Sequence, residues 1–260
     1  MNELTENPIT IEGTCYFASD FHFGAPDEAV SAERENRVLS WLDNIMADAG
    51  TLFLLGDIFD FWFEYRDVVP RGYYRLFSKF RELRDKGITV YYFTGNHDMW
   101  VENYFSKEFG FQIFRKQQFF IINGKRCLVG HGDGLGKGDL GYKFIKKMFA
   151  FRPNVWLYGL LHPRIAFSVA RFFSHKSRAM TGAEDSVFLS NDKEMLVQYA
   201  LSVLKDNEID FFIYGHRHLP LDIKLSDTAR YINTGDWLVH DSFCKFDKTG
   251  VELVKNDYFC

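Results

Sequence analysis

"VYYFTGNHDMW", residues Val90–Trp100, passes from apolar and aromatic side chains into Gly95, Asn96, His97 and Asp98. In α/β proteins ligands bind beyond the carboxyl ends of the strands, so a strand that ends in polar residues is a candidate site. Three polar residues there also serve as an ordinary turn or helix cap. The stretch gains meaning from its counterparts. "TCYFASDFHFG" (14–24), "TLFLLGDIFD" (51–60), "CLVGHGDG" (127–134) and "DFFIYGHRHLP" (210–220) have the same form, a short apolar run closed by a polar cluster.

Amphipathic helical patterns separate several of these runs. One covers Glu28 to Ala49, with Val38, Trp41, Leu42, Ile45 and Met46 on one face and Gly50 placed to close it. A second covers Tyr73 to Lys86, with Leu76, Phe77, Phe80 and Leu83 inward and Gly87 as the stop. A third covers Lys193 to Asp206, with Leu196, Tyr199, Ala200, Val203 and Leu204 inward. Strands alternating with helices make βαβ units, which predicts an α/β fold with a site at the strand ends. The residues after Asp241 read as closing strands.

The strand-end clusters are evenly spaced: 37 residues from Asp20 to Asp57, 39 to Asn96 and 35 to His131. His216 follows only after 85 more. One βαβ unit takes roughly 30 residues or more, so the long interval contains an insertion. The expected organisation is a core of residues 1–135 and 185–260, with a basic, apolar helical cap at 136–184. From Lys137 to Arg178 there are nine basic residues and one acid, a charge of +8 that leaves −12 for the rest of the chain. The same segment is dense in Phe, Leu and Trp, and Pro153 and Pro163 break it into pieces too short to span a bilayer. Two amphipathic helices with solvated basic faces would also look like this. A cap that receives an anionic, partly apolar ligand, or rests on anionic lipid, accounts for the charge and the apolar content together.

Composition sets the outer bounds. The 260 residues are 47% hydrophobic and 18% aromatic, ample for one large domain or a domain with an insertion. A net charge of −4 gives no sign of a nucleic-acid binder, and none is expected as a partner. Cys15, Cys127, Cys244 and Cys260 form no CxxC pair and read as reduced thiols of a cytoplasmic protein. The polar, acidic start "MNELTENP" is unlike a signal peptide.

Together the clusters supply Asp20, His22, Asp57, Asp60, Asn96, His97, Asp98, His131, Asp133, His216 and His218. Imidazole, carboxylate and amide oxygen without thiolate are donors for borderline-to-hard divalent metals. Asp20-x-His22 and His216-x-His218 have the i, i+2 spacing that, in an extended segment, points both side chains to the same side. Either pair alone is weak evidence, and a single histidine is more often an ordinary core residue.

The ordered blocks "DFH", "GDIFD", "GNHD", "GHGD" and "GHRH", from Asp20 to His218, resemble the signature of the calcineurin-like metallophosphoesterases. The resemblance implies a four-layer α/β/β/α sandwich and two divalent metal ions, most often Mn2+, with iron or zinc as alternatives. Carried over by position, Asp20, His22 and His218 would hold one ion, Asn96, His131 and His216 the other, and Asp57 would bridge them. Two such cations acidify water and clamp phosphoryl oxygens for in-line attack. His97, which the pattern does not make a ligand, would act beside the phosphate, and Asp60 and Asp98 would orient their neighbours.

"GDIFDFWFEYRD", the basic cap and the late "NTGDW" further resemble the branch that cleaves the pyrophosphate of an acylated UDP-sugar, UDP-2,3-diacylglucosamine, at the inner-membrane surface. On that likeness Asn96, His97, Asp139, Tyr142, Arg171, Ser174, Arg178 and His216 would contact substrate. The third block departs from the best-known members, which have Arg where this chain has His97. Arg178 and Thr181 also replace a different polar pair. A phosphoesterase acting on another nucleotide or phosphodiester, and a scaffold of the same fold without catalysis, are the competing expectations.

Overall fold

The computed structural model describes residues 8–136, 140–170, 188, 190 and 192–255. Short, Phe- and Val-rich segments pair into two six-stranded sheets. The first has the order β12-β11-β2-β3-β4-β5, built from Gly250–Lys255, Ser242–Asp247, Cys15–Ala18, Thr51–Leu54, Thr89–Phe93 and Gln112–Phe114. The second has the order β1-β6-β7-β8-β10-β9, built from Ile9–Ile11, Gln118–Ile122, Lys125–Val129, Phe211–Tyr214, Arg230–Thr234 and Pro220–Lys224. β2, β3, β4 and β5 run parallel, as do β7, β8 and β10. Their carboxyl ends therefore deliver the polar clusters to one rim.

Three apolar clusters make the layers. Phe17, Phe53, Phe120, Val129, Ile213 and Ile232 fill the space between the sheets. Outside the first sheet pack α1 (Glu28–Ile45), α2 (Tyr74–Asp85) and α3 (Tyr104–Phe109), through Trp41, Leu42, Leu76, Phe80 and Phe105. Outside the second packs α7 (Met195–Val203), through Leu196, Val197 and Ala200. This is the four-layer α/β/β/α arrangement. Cys15, Cys127 and Cys244 are free and buried, and Cys260 lies outside the described residues.

Helix ends differ in detail from the sequence pattern. Asp27 starts α1 by accepting the N–H groups of Ala29 and Val30. Gly50 does not close that helix. α1 ends at Ile45, because Gly50 and Thr51 both donate to the Thr14 carbonyl and draw the chain into β3. Gly87 does follow α2, at φ +78°. α7 is shorter than the pattern at both ends, beginning only after Glu194, whose backbone is extended.

The long interval folds into α4 (Leu140–Ala150), α5 (Arg152–Gly159) and a helix over 163–170, α6. Pro153 and Pro163 sit in the first turns of α5 and α6, where a missing N–H costs nothing. These helices dock by aromatic contact. Tyr158 stacks on Trp100 (5.9 Å, 9°) and meets Phe63 at 4.9 Å, and Phe167 meets Phe61 at 5.3 Å. Among the described residues no helix is long and apolar enough to cross a membrane.

The docking surface, residues 59–65, is itself fixed from below. Glu64 accepts the N–H groups of Glu102, Asn103 and Tyr104, capping α3 from another loop. Phe59, Trp62, Phe77 and Tyr92 surround the fully buried Phe105 ring at 4.8 to 6.1 Å. Phe105→Ala should destabilise the fold by about 3–5 kcal/mol, read from the denaturant midpoint, because the rings around it cannot close the gap.

Candidate metal centre

Asp20 and His22 follow β2, and Asp57 follows β3. Asn96, His97 and Asp98 follow β4, His131 and Asp133 follow β7, and His216 and His218 follow β8. The i, i+2 residues are not extended, and His216 and His218 go to different donor groups. Asp20, His22, His216 and His218 have φ of +57°, +46°, +70° and +53°, and Asp57 has +53°. Each is a left-handed turn that costs a non-glycine residue about 1 kcal/mol or more. Backbone bonds between the loops hold them there: Asp20 N–H to Gly56 O, His22 N–H to Asp57 O and Gly215 N–H to His131 O.

The donor atoms converge in two groups, Asp20–His22–His218 and Asp57–His131–His216. In the first, the Nε2 atoms of His22 and His218 face each other at 3.2 Å, and Asp20 Oδ1 lies 3.1 Å from His218 Nε2. In the second, Asp57 Oδ2 is 3.3 Å from His131 Nε2 and Asn96 Oδ1 is also 3.3 Å from it. Asp57 Oδ2 is 3.9 Å from His22 Nε2, so one carboxylate reaches both groups. A third grouping, His22–Asp60–His97, adjoins them. Ring nitrogens pointed at one another beside a carboxylate oxygen, buried or half-buried, suit bound cations. The nitrogen and oxygen donors, without thiolate, match borderline divalent ions.

Neighbouring groups fix the histidine tautomers. His131 Nδ1 lies 2.7 Å from the Leu55 carbonyl, which can only accept, so Nδ1 carries a proton and Nε2 is the atom turned inward, free to give its lone pair to a cation once deprotonated. His97 Nδ1 is likewise 2.9 Å from the Asp60 carbonyl. Burial pushes His22 down to about 4 and also lowers His216. Burial opposes charge on His131 and His218 too, but Asp57 lifts the first to about 10 and Asp20 lifts the second to about 9. In the chain alone, then, two imidazoles are neutral near pH 7 and two are cationic. Burial opposes charge on Asp57, yet the His131 and His97 imidazoles hold its carboxyl far below the usual carboxylate range. Burial, then the Asp57 charge, raises Asp98 to about 6.

Asp98 is both cap and brace. Its carboxylate accepts from Gly95 N–H, Ile58 N–H and the Tyr92 hydroxyl, tying the β4 loop to the β3 loop. Asp57 Oδ1 accepts the N–H of His97 at 2.8 Å, and Asp20 Oδ2 accepts the N–H of His216 at 2.9 Å. Tyr142 donates to Asp133 Oδ2 at 2.7 Å beside the second group. Asp139, Arg171, Ser174 and Arg178 lie outside the described residues, as does Thr181.

Other supports were not visible in the motifs. Arg217, between the two histidines of "GHRH", is gripped by Glu194 at 2.8 and 3.1 Å. Asp236 Oδ2 stands 3.9 Å behind His218 Nδ1. Ser19 bonds the Asp20 carboxylate and Thr234. Only the acid in "NTGDW" gave any sequence signal; the others depend on neighbours distant in the chain.

The family model described as calcineurin-like phosphoesterase matches residues 14–220. A UDP-2,3-diacylglucosamine hydrolase of Porphyromonas gingivalis is 34% identical over 250 residues, covering 92% of this chain and 95% of that protein. Proteins of the same name from Enterobacter sp. and Escherichia coli O6:H1 are each 26% identical, covering 92% of this chain and 97% of their own length. The phosphoesterase fold implies divalent metal ions, and the two donor groups are candidate ligand sets. With the match spanning all five strand-end clusters, the chain belongs to the calcineurin-like phosphoesterase family.

Proposed function

We propose that this chain hydrolyses the pyrophosphate bond of UDP-2,3-diacylglucosamine, yielding UMP and 2,3-diacylglucosamine 1-phosphate, a step in lipid A biosynthesis. The observation that carries this reading is the near full-length alignment with hydrolases named for that substrate. The intact donor groups support it.

In this reading Asp20, His22 and His218 hold one cation, Asn96, His131 and His216 the other, and Asp57 serves both. Manganese is the proposed ion, with iron or zinc as alternatives for the same donors. When bound, the two ions supply an acidified water and a clamp on phosphoryl oxygens. Asn96 contributes an uncharged oxygen, which limits the negative charge met by an anionic substrate. His97 has its Nδ1 proton on the Asp60 carbonyl, which leaves Nε2 free to act. As the water oxygen bonds to phosphorus and the bridging P–O bond breaks, Nε2 stabilises or protonates the departing phosphate oxygen.

Residues 136–184 act as the cap between core segments 1–135 and 185–260. Leu140, Trp156 and Leu160 are 81%, 65% and 64% exposed, an unusual density of apolar surface for three short helices. With Arg152 and Arg164 close to them in the chain, Trp156 and Leu160 suit acyl chains and the anionic cytoplasmic face of the inner membrane. Asp139, Tyr142, Arg171, Ser174 and Arg178 complete the substrate contacts, with Asn96, His97 and His216 at the phosphates. His97, in place of the Arg of better-known members, favours a second reading in which another nucleotide or phosphodiester is cleaved.

Three outcomes are expected. Purified protein with manganese should release UMP from the diacylated UDP-sugar and not from UDP-N-acetylglucosamine. Efficient cleavage of a soluble nucleotide or diester with no UMP from the lipid would establish the second reading instead. His97→Ala should retain its metal content by elemental analysis while kcat falls by about 10²–10⁴. Binding of the cations near pH 7.5 should expel about two protons, those of His131 and His218, because ligating imidazoles are neutral. Titration calorimetry in buffers of different ionisation enthalpy counts them. The signs agree: both groups lie above their unfolded values, so they favour the metal-free fold below about pH 6.5. That contribution is lost as pH rises through about 9 to 10, while metal affinity grows over the same range.

A further inference from the structure

A trough of about 620 Å³ leads away from His131 and Asp133, between α4 and the loop that joins β5 to β6. Arg115 and Lys116 stand on its loop wall, and Lys143, Lys146 and Lys147 on its helix wall. Asp133 is the one acid among the described lining residues. Its carboxylate is already engaged, by Lys146 at 2.5 Å and by the Tyr142 hydroxyl. Arg115 is paired with Glu102, and Lys143 donates to the Gly136 carbonyl. Lys116 and Lys147 face the cavity from its two walls, and the described residues give neither an anionic partner. Phe93, Leu135 and Phe144 add apolar surface between these charges, and Phe144 is 69% exposed.

We propose that this trough binds the nucleoside 5′-monophosphate half of the substrate, with phosphate toward His131 and the base against Phe144 and Leu135. The inference rests on the pyrophosphatase reading above and adds to it which half of the molecule goes where. Lys116 and Lys147 supply cations for the phosphate and ribose side, and a planar base gains from an aromatic face. Hydrocarbon in the trough could use its apolar lining but would strip water from the Lys116 and Lys147 ammonium groups, unpaired among the described residues, without compensating them. The acyl chains instead have the exposed apolar side chains of α5 and its end, Trp156, Leu157 and Leu160.

The test is direct binding of UMP, pyrophosphate and 2,3-diacylglucosamine 1-phosphate to the manganese-loaded protein by calorimetry, with thermal melts to verify folding. Lys116→Ala/Lys147→Ala should weaken UMP about tenfold and flatten its salt dependence, with the lipid product bound as before. Phe144→Ala should weaken UMP but not pyrophosphate. Lys86→Ala/Lys248→Ala, an equal charge change on surfaces away from the trough, should leave UMP affinity unaltered. Wild-type protein that fails to bind UMP at millimolar concentration, or trough variants that lose the lipid product instead, would overturn the proposal. If UMP binding responds to the trough variants while the wild type leaves the diacylated lipid uncleaved, the trough stands and the lipid reading falls.

Discussion

Asp57 sets one carboxylate oxygen on the N–H of His97 at 2.8 Å and turns the other to His131 at 3.3 Å and His22 at 3.9 Å. A buried anion in that position is tolerable only while cations, or cationic imidazoles, stand against it. Loops from β2, β3, β4 and β7 are thus drawn to one point. Their approach sets the backbone around it: a Cβ on Gly95 would run into the Asp57 carboxylate, so only glycine lets the β4 loop come so near. At Gly215 the same restriction acts on the other group, where a Cβ would sit 2.6 Å from Ser19 Cβ and 2.8 Å from Asp20 Oδ2.

Left-handed backbone at five of the converging donor residues is the local cost of this arrangement. It is offset by bonds that only the folded chain offers. His22 and Phe23 pair with Asp57 and Ile58 across two loops, and Trp237 N–H reaches back to Asp20 O. Glu194 and Arg217 extend the scheme to the chain's return from the cap. Glu194 is 4% exposed at the start of α7 and grips the residue between His216 and His218. A buried pair of this kind has little net effect on stability but a strong one on geometry, since losing either partner strands a charge.

Much of this was legible in the residues, and the limits have physical causes. Apolar runs closed by Asp, His and Gly gave the strand ends because the sheet imposes the same pattern at each. The i, i+2 spacing paired Asp20 with His22, which do share a donor group, and His216 with His218, which fall in different groups; all four have left-handed φ, which depends on cross-loop bonds that the pattern does not encode. Gly50 looked like a helix stop because glycine commonly ends helices, but α1 ends five residues earlier, at Ile45, with Gly50 and Thr51 held on the Thr14 carbonyl. Glu64 capping α3, Glu194 on Arg217 and Asp236 behind His218 join residues far apart in the chain. Without the fold they are ordinary acids among the 35 of the sequence.

The aromatic content, which first suggested only an ample core, divides into two jobs. Phe59, Trp62 and Phe105 lock the segment after Asp57 against α2 and α3, so that residue 60 cannot drift from His97. Phe61, Phe63 and Trp100, from the loops after β3 and β4, turn the other way to receive Tyr158 and Phe167. The irregular backbone of residues 59–63 sends Phe59 and Trp62 to the core and Phe61 and Phe63 to the helical insert. One short stretch, "DIFDFWF", therefore links the buried carboxylate, the packing that steadies it and the surface on which the helical insert rests. A change in how the insert sits must work against Trp100 and Phe63, which follow His97 and Asp60 by only three residues each. The seating of the helical insert and the position of His97 are mechanically joined through that stretch.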